Sequence, residues 1–506
     1  MLVPLTGLDT LANPMAMCSA FVFASPGPAE WGKEDTTALE EQLKGAAERV
    51  VRKWKLLSGV PKQLSKNRWA IDVPDDLEEA GKTRSLFGFT SETHQTSYHA
   101  AVGSSSPLSP LSSANSGFLP QPQIPLFRSS SVAADLSVHA KNQRPLLHLH
   151  ASFFSDAVAI GVNVPHGAMD GTGMGIIVRA LDSELHGREW DAPPPSEEVN
   201  PLEERLDSLL RDETVAAETA FPPVLKGYTD SSAPSAIVRI ISNALWEAKY
   251  FGSLERRVFL RQSLVEATAK KVKAEVVEET GGKEYVSSAD ALLAWLLKAF
   301  HAGESDPLSS VAADPVYSMR PLLSAYTPSG LSPRSFDQYP HNSVVPYALV
   351  PGDPLPLSTL AKTSTASLAL SLRRGLQADR VLPVLKEAWR KSAASKGPLI
   401  PTKDWPEFPS LLRCFLPFTV PHTTRWDISN QTTLGMTDLR LPGKSGKDLP
   451  LLAYYFIVVT PIDVDHYLVW QDIPGVGVTI SANTRTSRWK SFEKELDKLK
   501  QEVGEV

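Results

Sequence analysis

Among the 506 residues of this sequence, His166 and Asp170 have the types and spacing best suited to chemistry, in the segment NVPHGAMDGTGMG (163–175). A neutral imidazole, with an ordinary pKa near 6.5, can take a proton from a hydroxyl or amine close to neutral pH. An aspartate four residues later can turn back on a tight loop and bond a local partner, fixing the loop. Gly167, Gly171 and Gly173 allow tight turns, including backbone at positive φ. The chemistry that fits is general-base activation of a nucleophile. By spacing alone the signal is modest, because His-x-x-x-Asp also occurs in loops where both residues serve only structure.

Other groups are poorer candidates. His148 and His150 alternate along a strand-like stretch, but no carboxylate or cysteine stands at a spacing that would complete a metal site, so no metal is expected. Gly171-Thr-Gly-Met-Gly175 lacks the Lys-Ser/Thr of a phosphate loop and the spacing of a dinucleotide loop. No Gly-x-Ser-x-Gly elbow supports serine hydrolase chemistry. The two cysteines, Cys18 and Cys414, exclude a disulfide framework and a four-cysteine zinc site, and they fit a reducing, cytoplasmic compartment. Cys414, in LLRCFLPF, reads as a buried apolar residue, and Trp295, Trp470 and Trp489 read as core. A net charge of −6 without a basic, aromatic-interleaved stripe disfavours nucleic acid. The N-terminus lacks the basic region of a signal peptide. The most apolar run, LLAYYFIVV (451–459), is far short of the roughly 18 residues of a membrane span and reads as a buried strand.

The elements that must position His166 are legible around it. Residues 144–167 predict a β-hairpin turning at Ser155-Asp156, and Val158, Ile160, Val162 and Val164 alternate along its second strand. His166 keeps that parity, just past Pro165, and a helix follows in GMGIIVRALDSEL. Upstream, a helix starts after Asp35, with Leu39, Leu43, Ala46, Val50 and Trp54 on one face, and RWAIDVP (68–74) is a short strand. Residues 101–131 are so rich in Ser and Pro that their composition predicts a mobile surface loop, at least around 103–116, outside any active-site channel. Later, SSADALLAWLLKAF (287–300) predicts a helix opened by a Ser287/Asp290 capping box. NSVVPYALV, LLAYYFIVV, DHYLVWQ and GVGVTIS predict strands, and a closing helix carries Trp489, Phe492, Leu496 and Leu499.

These segments, taken together, resemble the BAHD acyltransferases, especially their fungal relatives, whose signature is His-x-x-x-Asp-Gly. LTGLDTLANP (5–14) is similar to the family's opening region, and residues 39–59 to its first helix. HASFFSDAVAIGVNVPHGAMDGTG (150–173) matches the hairpin and active-site loop almost position by position. VSSADALLAWLLKAF (286–300), VYSMRPLL (316–323) and GVGVTISANTRTSRWKSFEKEL (475–496) extend the resemblance over nearly the whole chain. One departure stands out. The family's second signature, Asp-Phe-Gly-Trp-Gly, is represented only by DLRLPGK (438–444).

The resemblance implies an α/β fold of two similar domains, each a mixed β-sheet flanked by helices, with an active-site channel at their interface. The expected division is an N-terminal half, 1–205, a crossover, 206–235, and a C-terminal half, 236–506. It implies acyl transfer from an acyl-CoA, acetyl-CoA being the expected donor, to a small-molecule acceptor of specialised metabolism. His166 would be the general base, with no acyl-enzyme, no metal, no tightly bound cofactor and no membrane partner, in a monomer. Asp170 and Gly171 would shape the loop, Ser429 or Asn430 would donate to the oxyanion or touch substrate, and Asp438 would form a structural ion pair with Arg320. Two rivals stay open: a repurposed member catalysing cyclisation or condensation without CoA, favoured by the altered second signature, and a noncatalytic small-molecule binder.

Overall fold

The computed structural model describes residues 1–505 except 8, 10–12, 14, 26–32, 66–67, 131, 133–134, 195–198, 216–227, 231–251, 308, 328–331, 347–354, 377–381, 384, 387–388, 391–400, 404–421, 445 and 460–465. Cys414 and most of the expected crossover lie outside the described residues. The elements that matter for the site are, in chain order, β1 (Ala16–Ala24), α1 (Lys33–Lys53), β2 (Gly88–Thr93), β3 (Gly117–Leu119), β4 (His148–Phe153), β5 (Ala157–Pro165), α2 (Gly171–Leu185), α3 (Pro201–Arg211), β6 (Ser253–Arg261), α4 (Gln262–Thr280), α5 (Ser288–His301), β7 (Ser309–Ser318), α6 (Arg320–Ala325), β8 (Val344–Pro346), β9 (His422–Asn430), β10 (Leu451–Val459), β11 (Tyr467–Ile473), β12 (Gly477–Arg485) and α7 (Thr486–Val503). The fold is α/β, with two mixed sheets flanked by helices.

The first sheet runs in the order β10-β1-β5-β4-β2. Its centre is β5, the second strand of the expected hairpin, paired antiparallel to both β1 and β4. Val158, Ile160, Val162 and Val164 point to one face, where Ala46 and Val50 of α1 and Met174, Ile177 and Leu181 of α2 complete a core. The other face carries Ala157, Ala159 and Gly161, and it is narrow for a reason. The chain at Phe127 crosses directly over it, Asn163 Nδ2 donating to the Phe127 carbonyl at 3.0 Å. A Cβ on Gly161 would collide with that carbonyl. The strand is therefore buried on both faces, which rigidifies the base of the loop that follows it.

The second sheet runs β8-β7-β9-β11-β12-β6-β3. β7, β9 and β11 are parallel neighbours, while β12 and β6 pair antiparallel. Helices α4, α5 and α7 cover one face through Leu264, Leu292, Leu296, Phe300 and Phe492, packed with Trp426, Trp470 and Trp489. The capping box of α5 is present: Ser287 Oγ accepts from Asp290 N at 3.1 Å, and Asp290 Oδ2 accepts from Ser287 N at 2.8 Å.

Each sheet borrows from the opposite end of the chain. β10, from residues 451–459, forms an edge of the first sheet against β1. β3, from residues 117–119, extends the second sheet against β6, and Leu202, Leu206 and Leu209 of α3 sit in the second core. The exchange overturns the expectation of a mobile Ser/Pro-rich loop. Leu111 is buried and its amide donates to Leu451 O at 2.9 Å. Ser116 Oγ donates to Glu505 Oε2 at 2.9 Å, and Leu126 and Phe127 are buried. A few well-spaced apolar residues tie the segment to both sheets, and average composition hides them. Among the described residues, no helix is long and apolar enough to cross a membrane.

The tight crossing over β5 carries a stability prediction. Gly161→Ala should destabilise the protein by about 1–3 kcal/mol, the usual cost of overpacking a filled core, read as a lowered thermal unfolding midpoint. An unchanged midpoint would show that the Phe127 segment yields freely.

Candidate active site

β5 stops at Pro165, but the pairing with β1 runs one residue further, because His166 N donates to Met15 O at 2.8 Å. This last bond sets the direction in which the His166 side chain leaves the sheet. The imidazole is half-buried at the wall of a cavity of about 540 Å³. Its Nδ1 lies 3.0 Å from the Met169 carbonyl. A carbonyl only accepts, so Nδ1 carries the proton of the neutral ring and Nε2 keeps its lone pair. Burial, the largest influence, pushes the His166 pKa below its ordinary value, against smaller opposing effects that include Asp170 and Asn342.

Asp170 is bonded to partners other than that ring. It caps α2, accepting from Thr172 N at 3.0 Å and Gly173 N at 3.4 Å. Its two oxygens also receive a two-pronged pair from Arg320, at 2.9 and 2.8 Å, and Oδ2 accepts from Ser343 N at 3.2 Å. Both side chains are almost fully buried. This corrects the expected Asp438–Arg320 pair. Arg320 opens α6 at the end of β7, and its guanidinium is taken up by Asp170 and by the carbonyls of Tyr339 and His341. Asp438 is elsewhere, beside Arg179 across Gly435.

A strap at residues 339–343 completes the clamp, and sequence reasoning missed it. His341 Nδ1 lies 2.7 Å from the Ala168 carbonyl, and Asn342 Nδ2 donates to the His166 carbonyl at 2.8 Å. Asn342 N donates to the buried carboxylate of Asp9 at 2.7 Å. Burial, the largest influence, raises the Asp9 pKa, partly offset by His341 and by its own hydrogen bonds. The available signals are the run Pro-His-Asn-Ser at 340–343, of which only Asn342 and Ser343 fall in a predicted strand, and Asp9 in the opening segment.

The loop glycines act differently from the expectation. Gly167, Gly171 and Gly173 do not take positive φ. They are small because neighbours press in: a Cβ on Gly173 would strike the Pro340 carbonyl, and one on Gly175 the Leu434 carbonyl. The segment 434–441, which includes the first residues of the remnant of the second signature, thus lies directly on α2, with Arg179 Nη1 donating to Leu434 O at 2.6 Å and Arg440 N to Asp182 at 2.8 Å.

His166, Asp170, Gly171 and Arg320 share the cavity wall with Ser429 and Asn430 at the end of β9. Asp438 is not among the lining residues. Ser429 is half-buried; Asn430 is exposed, and its Oδ1 accepts from Thr432 N at 3.1 Å and Thr432 Oγ1 at 2.8 Å in a local turn. Deeper in, Arg257 pairs with Glu255 at 2.6 Å, and the Tyr467 hydroxyl donates to the same carboxylate. His148 and His150 lie away from this cavity, both bonded to Thr90 Oγ1, at 3.0 and 2.7 Å. Burial lowers the pKa of both, that of His148 to about 4.

No known family profile matches the chain. Over 254 residues, 50% of this chain and 48% of the relative, it is 26% identical to the O-acyltransferase pboC of Aspergillus ustus. Over 264 residues, 49% and 44%, it is 22% identical to the acetyltransferase BOT5 of Botryotinia fuckeliana. The matched stretch thus spans about half the length of these curated relatives. The whole fold superposes on F. sporotrichioides TRI101, solved with coenzyme A and T-2, with a TM-score of 0.60, 13% identity and coverage of 97% of this chain and 98% of that one. It also superposes on vinorine synthase, with a TM-score of 0.53, 13% identity and coverage of 98% and 93%. The fold implied by the resemblance is therefore the fold of the chain.

The clamp yields a prediction. Arg320→Ala leaves a buried carboxylate without its cation, and should cost about 3–5 kcal/mol of stability. Arg320→Lys, which keeps the charge but not the fork that reaches Asp170 and two carbonyls together, should fall between that variant and the parent. Denaturant midpoints compare the three, and equal midpoints would remove the clamp's role.

Proposed function

We propose that this chain, which has the fold of the BAHD acyltransferases, transfers an acyl group from an acyl-CoA to a hydroxyl or amine of a small-molecule acceptor, with His166 as general base. The observation that carries the reading is the state of His166: a neutral ring, its Nδ1–H spent on the Met169 carbonyl, its Nε2 left for the cavity. Coenzyme A in the TRI101 structure and the acyltransferase names of the partial relatives support the donor class. Acetyl-CoA is the first donor to try.

In this reading His166 Nε2 takes the proton of the acceptor as its oxygen or nitrogen attacks the thioester carbon. The carbonyl π pair moves onto oxygen, where the Ser429 hydroxyl donates a hydrogen bond to the developing charge. Collapse of the tetrahedral intermediate breaks the C–S bond, and the imidazolium returns its proton to the departing thiolate, giving free CoA and a neutral His166. Asp170 takes no part in proton transfer, since Arg320, Ser343 N and the α2 amides already occupy it. Asn430 is the poorer oxyanion donor, being exposed and held in its turn. The expected halves, 1–205 and 236–506, exchange strands, so the two sheets rather than the two halves would act as the walls of a channel, with donor and acceptor entering from opposite faces. A noncatalytic binder on this fold would have no use for an imidazole kept neutral with one nitrogen free, which weighs against that rival.

The reading is tested with acetyl-CoA and longer acyl-CoAs against a panel of secondary alcohols and primary amines, following CoA thiol release. His166→Ala should lower kcat by roughly 10² to 10⁴ while leaving the unfolding midpoint close to the parent's. Turnover near the parent's would sink the mechanism.

The pH profile supplies an independent check. The active form is neutral and the pKa is lowered, so activity should rise with pH through a value below 6.5 and then level off. At pH 6.5, kcat/KM should already exceed half its plateau. A half-point clearly above 6.5 would contradict the buried, neutral base.

A further inference from the structure

Ser429 is joined to a line of buried amides that the acyl-transfer reading leaves without a purpose. The Thr479 hydroxyl donates to Gln471 Oε1 at 3.3 Å, Gln471 Nε2 donates to Gln431 Oε1 at 2.8 Å, and Gln431 Nε2 donates to Ser429 Oγ at 3.1 Å. Gln431, Gln471 and Thr479 are all buried, and they come from three adjacent strands or strand ends, β9, β11 and β12. Every bond in the line points the same way. Each carboxamide spends its oxygen on the donor behind it and so presents its N–H to the acceptor in front.

We propose that this line is a positioning relay that fixes the direction of the Ser429 hydroxyl, with Gln431 as its decisive member. The proposal rests on the acyl-transfer reading and deepens it. A serine hydroxyl has one proton and two lone pairs. With an N–H delivered to its oxygen by Gln431, Ser429 is held as an acceptor on that side, and its own O–H is left to donate elsewhere, into the cavity it shares with His166. Without the relay the hydroxyl would rotate freely, and a donor that must be oriented at the moment of reaction loses much of its electrostatic effect. Gln431 is also packed against the His166 loop: its Nε2 would stand 3.9 Å from a Cβ on Gly171. Gln431 N donates to Trp470 O at 2.9 Å and Leu434 N to Gln431 O at 3.2 Å, which fixes the backbone on both sides of it.

Gln431→Glu separates orientation from packing, because the replacement has nearly the same shape. A carboxylate still accepts from Gln471 Nε2, but it cannot donate to Ser429. It would instead accept the Ser429 proton and turn the hydroxyl away from the cavity. With acetyl-CoA as donor and thiol release as readout, Gln431→Glu should lower kcat by about 10- to 100-fold, less than the roughly 10²- to 10³-fold cost of losing an oxyanion donor outright. The KM for acetyl-CoA should stay within about twofold and the unfolding midpoint near the parent's. In a Ser429→Ala background the same change should cost less than about twofold, since no hydroxyl remains to orient. Parent-like kcat in Gln431→Glu, or an equal loss with and without Ser429, would overturn the relay while leaving the acyl-transfer reading intact. Absence of thiol release by the parent protein with every acyl-CoA and acceptor, together with no thermal stabilisation by acetyl-CoA, would instead remove that reading and the relay with it.

Discussion

The buried pair between Asp170 and Arg320 is the interaction on which the site's geometry depends. It joins the loop that follows β5 to the end of β7, two segments 150 residues apart, from opposite sheets. Burying two charges is costly unless geometry is good and the remaining hydrogen-bonding capacity is used. Here it is used: the carboxylate also accepts three backbone amides, and the guanidinium also donates to the carbonyls of Tyr339 and His341. Because the partners are mostly backbone groups, satisfying the pair fixes the path of the main chain on both sides. The His166 loop and the 339–343 strap are thus shaped by one network.

The consequence for His166 is that its ring needs no carboxylate to orient it. Its Nδ1 finds the Met169 carbonyl, one residue before the clamped Asp170. Its own carbonyl is held by Asn342, which is held in turn by Asp9. Asp170 positions the ring through the backbone, and its charge opposes the lowering of the His166 pKa by less than burial contributes to it. An adjacent carboxylate would instead favour the imidazolium and raise the pKa. With Asp170 bonded to Arg320 and to backbone amides rather than to the ring, burial outweighs the anion's effect and the His166 pKa lies below its ordinary value.

The strongly patterned parts of this arrangement were legible in the sequence. Val158 to Val164 alternate because one face of β5 meets helices, and the helix after Gly171 announces itself by its apolar residues, so the placing of His166 at a strand end followed from periodicity. Ser287 and Asp290 form the capping box that their spacing suggests. What could not be read were interactions between residues far apart in the chain. Arg320 has two candidate aspartates in the sequence, and only the fold decides between Asp170 and Asp438. The strap at 339–343 carries no periodicity, because its side chains serve a loop rather than a face. The Ser/Pro-rich segment misled for the opposite reason: composition averages over 31 residues (101–131), whereas a few residues, among them Leu111, Ser116, the strand 117–119, Leu126 and Phe127, anchor it.

The altered second signature is the departure that most favoured a function without CoA, and the contacts of the segment weaken that inference. Residues 434–441 reach α2 through the main chain and through Met436, Leu439 and Leu441, which are buried in the core that α2 shares. The Leu434 carbonyl lies against Gly175 and accepts from Arg179, and the Arg440 amide donates to Asp182. Gly435 has φ +70°, a turn that a glycine adopts without strain. Contacts of this kind need a small residue in the helix, a glycine in the turn and two polar side chains on α2. They do not need the aromatic residue that the family pattern places there. The loop keeps its position through these backbone bonds together with the buried aliphatic side chains of Met436, Leu439 and Leu441, so loss of the signature's aromatic letters does not by itself remodel this side of the cavity. The features that any acyl transfer here would use most directly, His166 at the end of β5 and Ser429 at the end of β9, are set by strand register.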